Sequence, residues 1–122
     1  MLPTKMRLTK KESFDKVFKE GKFLYGDNFI VGFRKNGLPY SRLGFLVGKK
    51  IFKKAVLRNR AKRKMRETIR LFKDEIVSGF DIVISCKKEN LIICKNGFIE
   101  AKKEIINIFR KAKLLKIEKI NE

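Results

Sequence analysis

The chain has 122 residues, enough for one modest core and too few for two. An apolar content of 43%, with 11 Phe and no Trp, points to a packed interior and excludes a disordered polar chain. Charge is the outlier: 32 Lys+Arg against 13 Asp+Glu leave a net charge of +19, a surplus that opposes compaction unless a polyanion neutralises it.

In chain order, the N-terminus MLPTKMRLTKKES has no apolar run of signal-peptide length. TKKESFDKVFKEG then predicts a short helix. Thr9 and Glu12 have the spacing of a capping box, and Gly21 ends the helix. Phe14, Val17 and Phe18 share one helical face. Next, Phe29, Val31 and Phe33 alternate with Ile30, Gly32 and Arg34, which is strand periodicity. After the turn residues of KNGLPYS, Leu43, Phe45 and Val47 repeat the alternation. Two or three antiparallel strands are expected in this part.

Residues 55–73 predict a helix with an apolar stripe of Leu57, Ala61, Met65, Ile69 and Phe72. FDIVISCK is a β-rich apolar run and predicts a strand over 80–87. From Asn96 the chain predicts a last helix burying Phe98, Ala101, Ile105, Phe109 and Ala112. The expected architecture is a single domain over 1–122, an α+β sandwich with helices packed on a small sheet. Cys86 and Cys94, with seven residues between them, form neither a CxxC pair nor a disulfide framework. Two reduced structural thiols in a cytoplasmic protein are expected.

The second helix-forming stretch, AVLRNRAKRKMRETIR, carries Arg58, Arg60, Lys62, Arg63, Lys64, Arg66 and Arg70 with Glu67 as its only acid. Like charges at i,i+4, such as Arg58–Lys62 and Lys62–Arg66, each cost about 0.2–0.5 kcal/mol. From Asn28 to Arg66 there are thirteen basic residues and no Asp or Glu, whereas an ordinary solvated face mixes signs. The pattern therefore predicts a polyanion partner. The concentration of Arg favours nucleic acid, because guanidinium grips phosphate bidentately and stacks on bases. Asn59 either caps the start of the helix or hydrogen-bonds a base edge or a 2′-hydroxyl. Apolar groups on both strand faces, with Phe14 and Phe18 nearby, form either core or a stacking platform for single-stranded nucleic acid. The chain has no histidine, so it lacks a Ser-His or Cys-His nucleophile system. No metal site and no phosphate loop is expected either, and catalytic residues in this chain are therefore assigned as none.

KKIFKKAVLRNRAKRKMRE, with an upstream L-x-x-x-x-x-F-x-x-V-F-x-x-G, the strand ending GFLVGKK and the D-I-V-I strand beyond, resembles the bacterial RNase P protein family over residues 7–113. The resemblance implies a fold of helix, three strands, helix, strand, helix. Its sheet is mostly antiparallel, with a left-handed strand–helix–strand crossover. It implies two partners, a catalytic RNA and the precursor tRNA whose 5′ leader that RNA removes, with magnesium used by the RNA. Neither a membrane nor an obligate protein partner is implied. By matching positions, Arg58, Asn59, Arg60, Lys62, Arg63, Arg66, Lys49 and Lys50 would lie against the catalytic RNA. Phe14, Phe18 and Ile30 would line a leader-binding cleft between the sheet and the central helix. Gly32 stands where family members carry an aromatic. A ribosomal or architectural nucleic-acid binder without a role in cleavage is the alternative reading.

Overall fold

A computed structural model describes residues 6–48, 52–87 and 95–116, excepting the side chains of 95–99. The elements are α1 (Lys11–Glu20), β1 (Lys22–Tyr25), β2 (Phe29–Lys35), β3 (Arg42–Leu46), α2 (Ala55–Arg70), β4 (Phe80–Cys86) and α3 (Lys95–Lys111). This is the expected order of an α+β sandwich. The expected burial of Phe98 lies outside the described side chains, and Cys94 lies outside the described residues.

One sheet holds all four strands in the order β1-β2-β4-β3. β1–β2 and β2–β4 are antiparallel, while β3 runs parallel to β4. The expectation that β2 and β3 form an antiparallel pair is corrected here, because β4 inserts between them. β4 suits an interior place: Ile82, Val83 and Ile84 are buried, so the run is apolar on both faces of the sheet. The KNGLPYS turn instead arches over the end of β4. Asn36 accepts from the Leu38 amide (2.8 Å) and donates to Asp81 (2.9 Å), with Gly37 at φ 72°. Asp81, 2% exposed, also takes a bidentate pair from Arg42 at 2.8 and 2.7 Å, tying β3 to β4. The hydrogen bond to Asp81 raises the Arg42 pKa above its ordinary value.

The helix starts also differ from expectation. α1 is capped by the Lys10 backbone, without a side-chain cap, and Ser13 and Phe14 bond the Lys10 carbonyl. Thr9 therefore stands one residue too early for the predicted capping box. Gly21 does end the helix, for a steric reason: a Cβ there would lie 2.5 Å from the Val17 carbonyl and 2.8 Å from that of Phe33.

The sheet separates two packed layers. On one face Phe29, Val31, Leu43, Ile82 and Ile84 meet Ala61, Met65 and Ile69 of α2 and Ala101, Ile105 and Phe109 of α3. The predicted stripes of both helices are thus the main core. On the other face α1 covers Val83 with Val17, beside Leu8, Phe14 and Leu46. Glu104 on α3 fixes the β1–β2 turn, accepting from the amides of Asn28 and Phe29 (2.8 Å each) and from Asn28 Nδ2 (2.7 Å). A Cβ at Gly26 would sit 2.5 Å from that carboxylate.

Candidate nucleic-acid interface

The basic helix α2 forms without the usual local supports. Its N-cap, Lys54, makes no side-chain cap, and no acid stands in its first turn, where the dipole favours negative charge. Its stability comes from packing, since Ala61, Met65 and Ile69 are fully buried. One further support is Arg58. It lies seven residues before Met65, on the side turned toward the core, and its Nη1 donates back to the carbonyls of Phe52 (2.8 Å) and Lys53 (3.2 Å). Phe52 is itself fully buried. Arg58 therefore staples the segment entering the helix.

The other predicted contacts distribute around α2. Asn59, Arg60 and Arg63 are exposed, and Lys62 and Arg66 are half-buried along the side facing β3. Asn59 sits inside the helix and is not its cap. Lys49 and Lys50 lie outside the described residues. Among the described residues, no three His, Cys, Asp or Glu side chains gather to hold a metal ion, and no helix is long and apolar enough to cross a membrane.

Phe14, Phe18 and Ile30 belong to the opposite side of the sheet. They face α1 and not the central helix, and the expectation that they lie between the sheet and the central helix is corrected. The face toward α2 is filled by Phe29, Val31, Ile82 and Ile84, so their strand neighbours point to α1. On that α1 side the register aligns a row across all four strands: Phe23, Gly32, Val83 and Gly44. A Cβ on Gly44 would lie 2.5 Å from the Phe14 ring, and a Cβ on Gly32 would lie 2.5 Å from the Phe23 ring. Each ring thus rests on a glycine, with Val17 over Val83 between them. Ile30 is half-buried in the next row, opposite Ser85.

Phe23 is a member of this platform that sequence reasoning missed. Its ring runs parallel to that of Phe18, at 1° with centroids 6.1 Å apart, and Phe18 is 44% exposed. The aromatic surface expected at position 32 is supplied from the adjacent strand. The signal was the pairing of a Phe with a Gly across two strands, which becomes visible only once the register is known.

Comparison with known proteins gives a consistent result. The family model described as Ribonuclease P matches residues 2–113. The ribonuclease P protein component of Bacillus cereus (strain 03BB102) is 39% identical over 116 residues, covering 94% of this chain and 97% of the relative. Among solved structures, the RNase P protein from Thermotoga maritima superposes with a TM-score of 0.73 at 42% identity, covering 90% of this chain and 94% of the other. The Staphylococcus aureus RNase P protein reaches a TM-score of 0.77 at 26% identity, covering 90% and 97%. The matched family model, the full-length relative and the shared fold agree, and the chain belongs to the ribonuclease P protein family, the protein component of a tRNA-processing ribonuclease.

Proposed function

We propose that this chain is the RNA-binding subunit of a ribonucleoprotein endoribonuclease acting in the cytoplasm. The outward cations of α2, among them Arg60 and Arg63, dock on a catalytic RNA, and the cleft under α1 holds the single-stranded 5′ leader of precursor tRNA. Phosphodiester hydrolysis takes place on the RNA partner, with magnesium ions bound there. The protein's contribution is electrostatic and positional: its cations screen repulsion between two polyanions, and its aromatic rings stack on unpaired bases. No membrane and no obligate protein partner enter this reading.

The observation that carries it is the use of the two faces of one sheet. An uncapped helix with seven cations and one acid is held on one side, and an open aromatic platform on the other. A purely architectural binder needs the first and has no use for the second.

The test is multiple-turnover cleavage of precursor tRNA by a bacterial RNase P RNA, with and without this protein, near physiological magnesium. A protein-dependent gain in correct 5′ processing, with no cleavage by protein alone, is the expected result. Tight RNA binding without any gain would leave an architectural protein.

A further inference from the structure

The two edges of the sheet are finished differently. Along β3 the edge is covered: Arg7 bridges to Leu43, and the Leu8 amide donates to the Leu43 carbonyl at 2.7 Å. Among the described residues, β1 has only β2 beside it. The Gly26 amide donates to the Phe29 carbonyl (2.8 Å), so in this register Leu24 and Lys22 are the residues whose main chain bonds to β2. Phe23 and Tyr25 therefore turn their N–H and C=O groups outward. Tyr25 is also 70% exposed, the most of any large apolar side chain among the described residues. Beside this edge, between β1 and α3, runs a groove of about 690 Å³ floored by Leu24 and Ile108. Its charged lining is Asp27, Glu100 and Glu104 against Lys103 and Lys111, so acids outnumber bases here on a chain of +19.

We infer that β1 is a contact between two copies of this chain, paired antiparallel about a two-fold axis through Leu24. In that register Phe23 of each copy stands opposite Tyr25 of the other, and each such pair exchanges both of its main-chain hydrogen bonds. The outward groups of both residues are satisfied at once, by the same strand on each side, as a two-fold contact requires. Leu24 meets its own counterpart on the α3 face, and the two aromatic pairs form on the α1 face. The β2 strands of the two copies then lie three strand spacings apart, about 14 Å. The α3 helices, which pack on β2, are thus kept from colliding, and the two grooves join. Charge selects this edge. Two chains of +19 repel each other, and they approach at least cost where acids are in excess and lysines of one groove can meet carboxylates of the other. The same excess of acid disfavours a polyanion as the occupant. A four-residue strand gives a contact smaller than a standard interface, so the dimer is weak, with Kd on the order of 100 µM once salt screens the net charge.

The experiment is sedimentation equilibrium of the full-length protein without RNA, from about 10 µM to 1 mM, at about 50 and 500 mM salt. Wild type should move from monomer to dimer with concentration, at least tenfold more tightly at the higher salt. Tyr25→Pro removes only an outward N–H, which an edge strand tolerates, and Tyr25→Lys keeps that donor but sets a charge on the edge. Both should stay monomeric with the far-UV circular dichroism of wild type. The register is read by oxidative cross-linking of Leu24→Cys and Lys22→Cys, with wild type, which keeps Cys86 and Cys94, as background. Position 24 faces itself across the axis at about 4.5 Å between Cα atoms, within disulfide reach, whereas position 22 does not. Leu24→Cys should therefore cross-link above background and Lys22→Cys should not. A wild type that stays monomeric throughout, a Tyr25→Lys that dimerises as well as wild type, or cross-linking at position 22 equal to that at 24 would each overturn the inference.

Discussion

Removing the Arg58 side chain separates its structural role from its RNA role. The guanidinium donates to two backbone carbonyls, at 2.8 Å to Phe52 and 3.2 Å to Lys53. A hydrogen bond from a charged donor is worth about 1.5–3 kcal/mol, and the residue is partly exposed, so water recovers some of that in Arg58→Ala. We expect a net loss of about 1–2 kcal/mol, which for a chain of this size lowers Tm by about 4–8 °C. Arg58→Lys keeps the charge but loses the fork, and should recover only part of the stability. The assay pairs a thermal melt of free protein with RNA affinity at several salt concentrations. A side chain that positions the Lys53–Lys54 segment weakens binding without changing the salt slope. One that neutralises a phosphate lowers the slope by about 0.7–0.9. An unchanged Tm with a full unit lost from the slope would refute the staple and restore Arg58 as a simple RNA ligand.

Three further outcomes follow from the geometry. Gly44→Ala places a Cβ 2.5 Å from the Phe14 ring and 3.1 Å from Leu8 Cβ, so the ring must lift. Stability should fall by about 1–2 kcal/mol in denaturant unfolding, and leader affinity should fall with it. Asp81→Ala strands the Arg42 guanidinium and the Asn36 amide, and should lower unfolding stability by about 2–3 kcal/mol, less than a fully buried pair because Arg42 retains some solvent. Phe23→Ala should cut affinity for single-stranded leader about tenfold in a fluorescence titration. Adding Gly32→Phe to it should restore binding, whereas Gly32→Phe alone collides with the Phe23 ring and destabilises.

The elements were legible because each is written in local periodicity. The α2 stripe of Ala61, Met65 and Ile69 is fully buried, and the β4 run is the strand its composition suggests. Strand order was less legible. KNGLPYS encodes a reversal of direction but not the partner of the strand that follows, and the partner was settled by β4, forty residues on. The side of the sheet that Phe14, Phe18 and Ile30 face was illegible for the same reason, since it depends on which strand face α2 occupies. Phe23 and Arg58 illustrate two further limits. The ring finds its seat only because glycine lies opposite it, and the guanidinium its acceptor only because a loop carbonyl lies within reach. Neither neighbour can be found from spacing along the chain.

The arrangement of charge leads to a last expectation. The four i,i+4 like-charge pairs along α2 (Arg58–Lys62, Arg60–Lys64, Lys62–Arg66 and Arg66–Arg70) together oppose the helix by about 1–2 kcal/mol. Burial of Met65, Ile69 and Phe72 contributes about 5–9 kcal/mol in the other direction. Packing therefore wins, and α2 is folded before any RNA arrives. Salt should then act with opposite signs on the two equilibria. Screening relieves the repulsion of a +19 chain, so Tm of the free protein rises between 50 and about 500 mM salt as the Debye length shrinks. RNA affinity falls over the same range, on the order of ten-thousand-fold for about six phosphate contacts. A free protein destabilised by salt would mean that attractive pairs such as Arg42–Asp81 outweigh the repulsion, and the polyanion would then not be what relieves the helix.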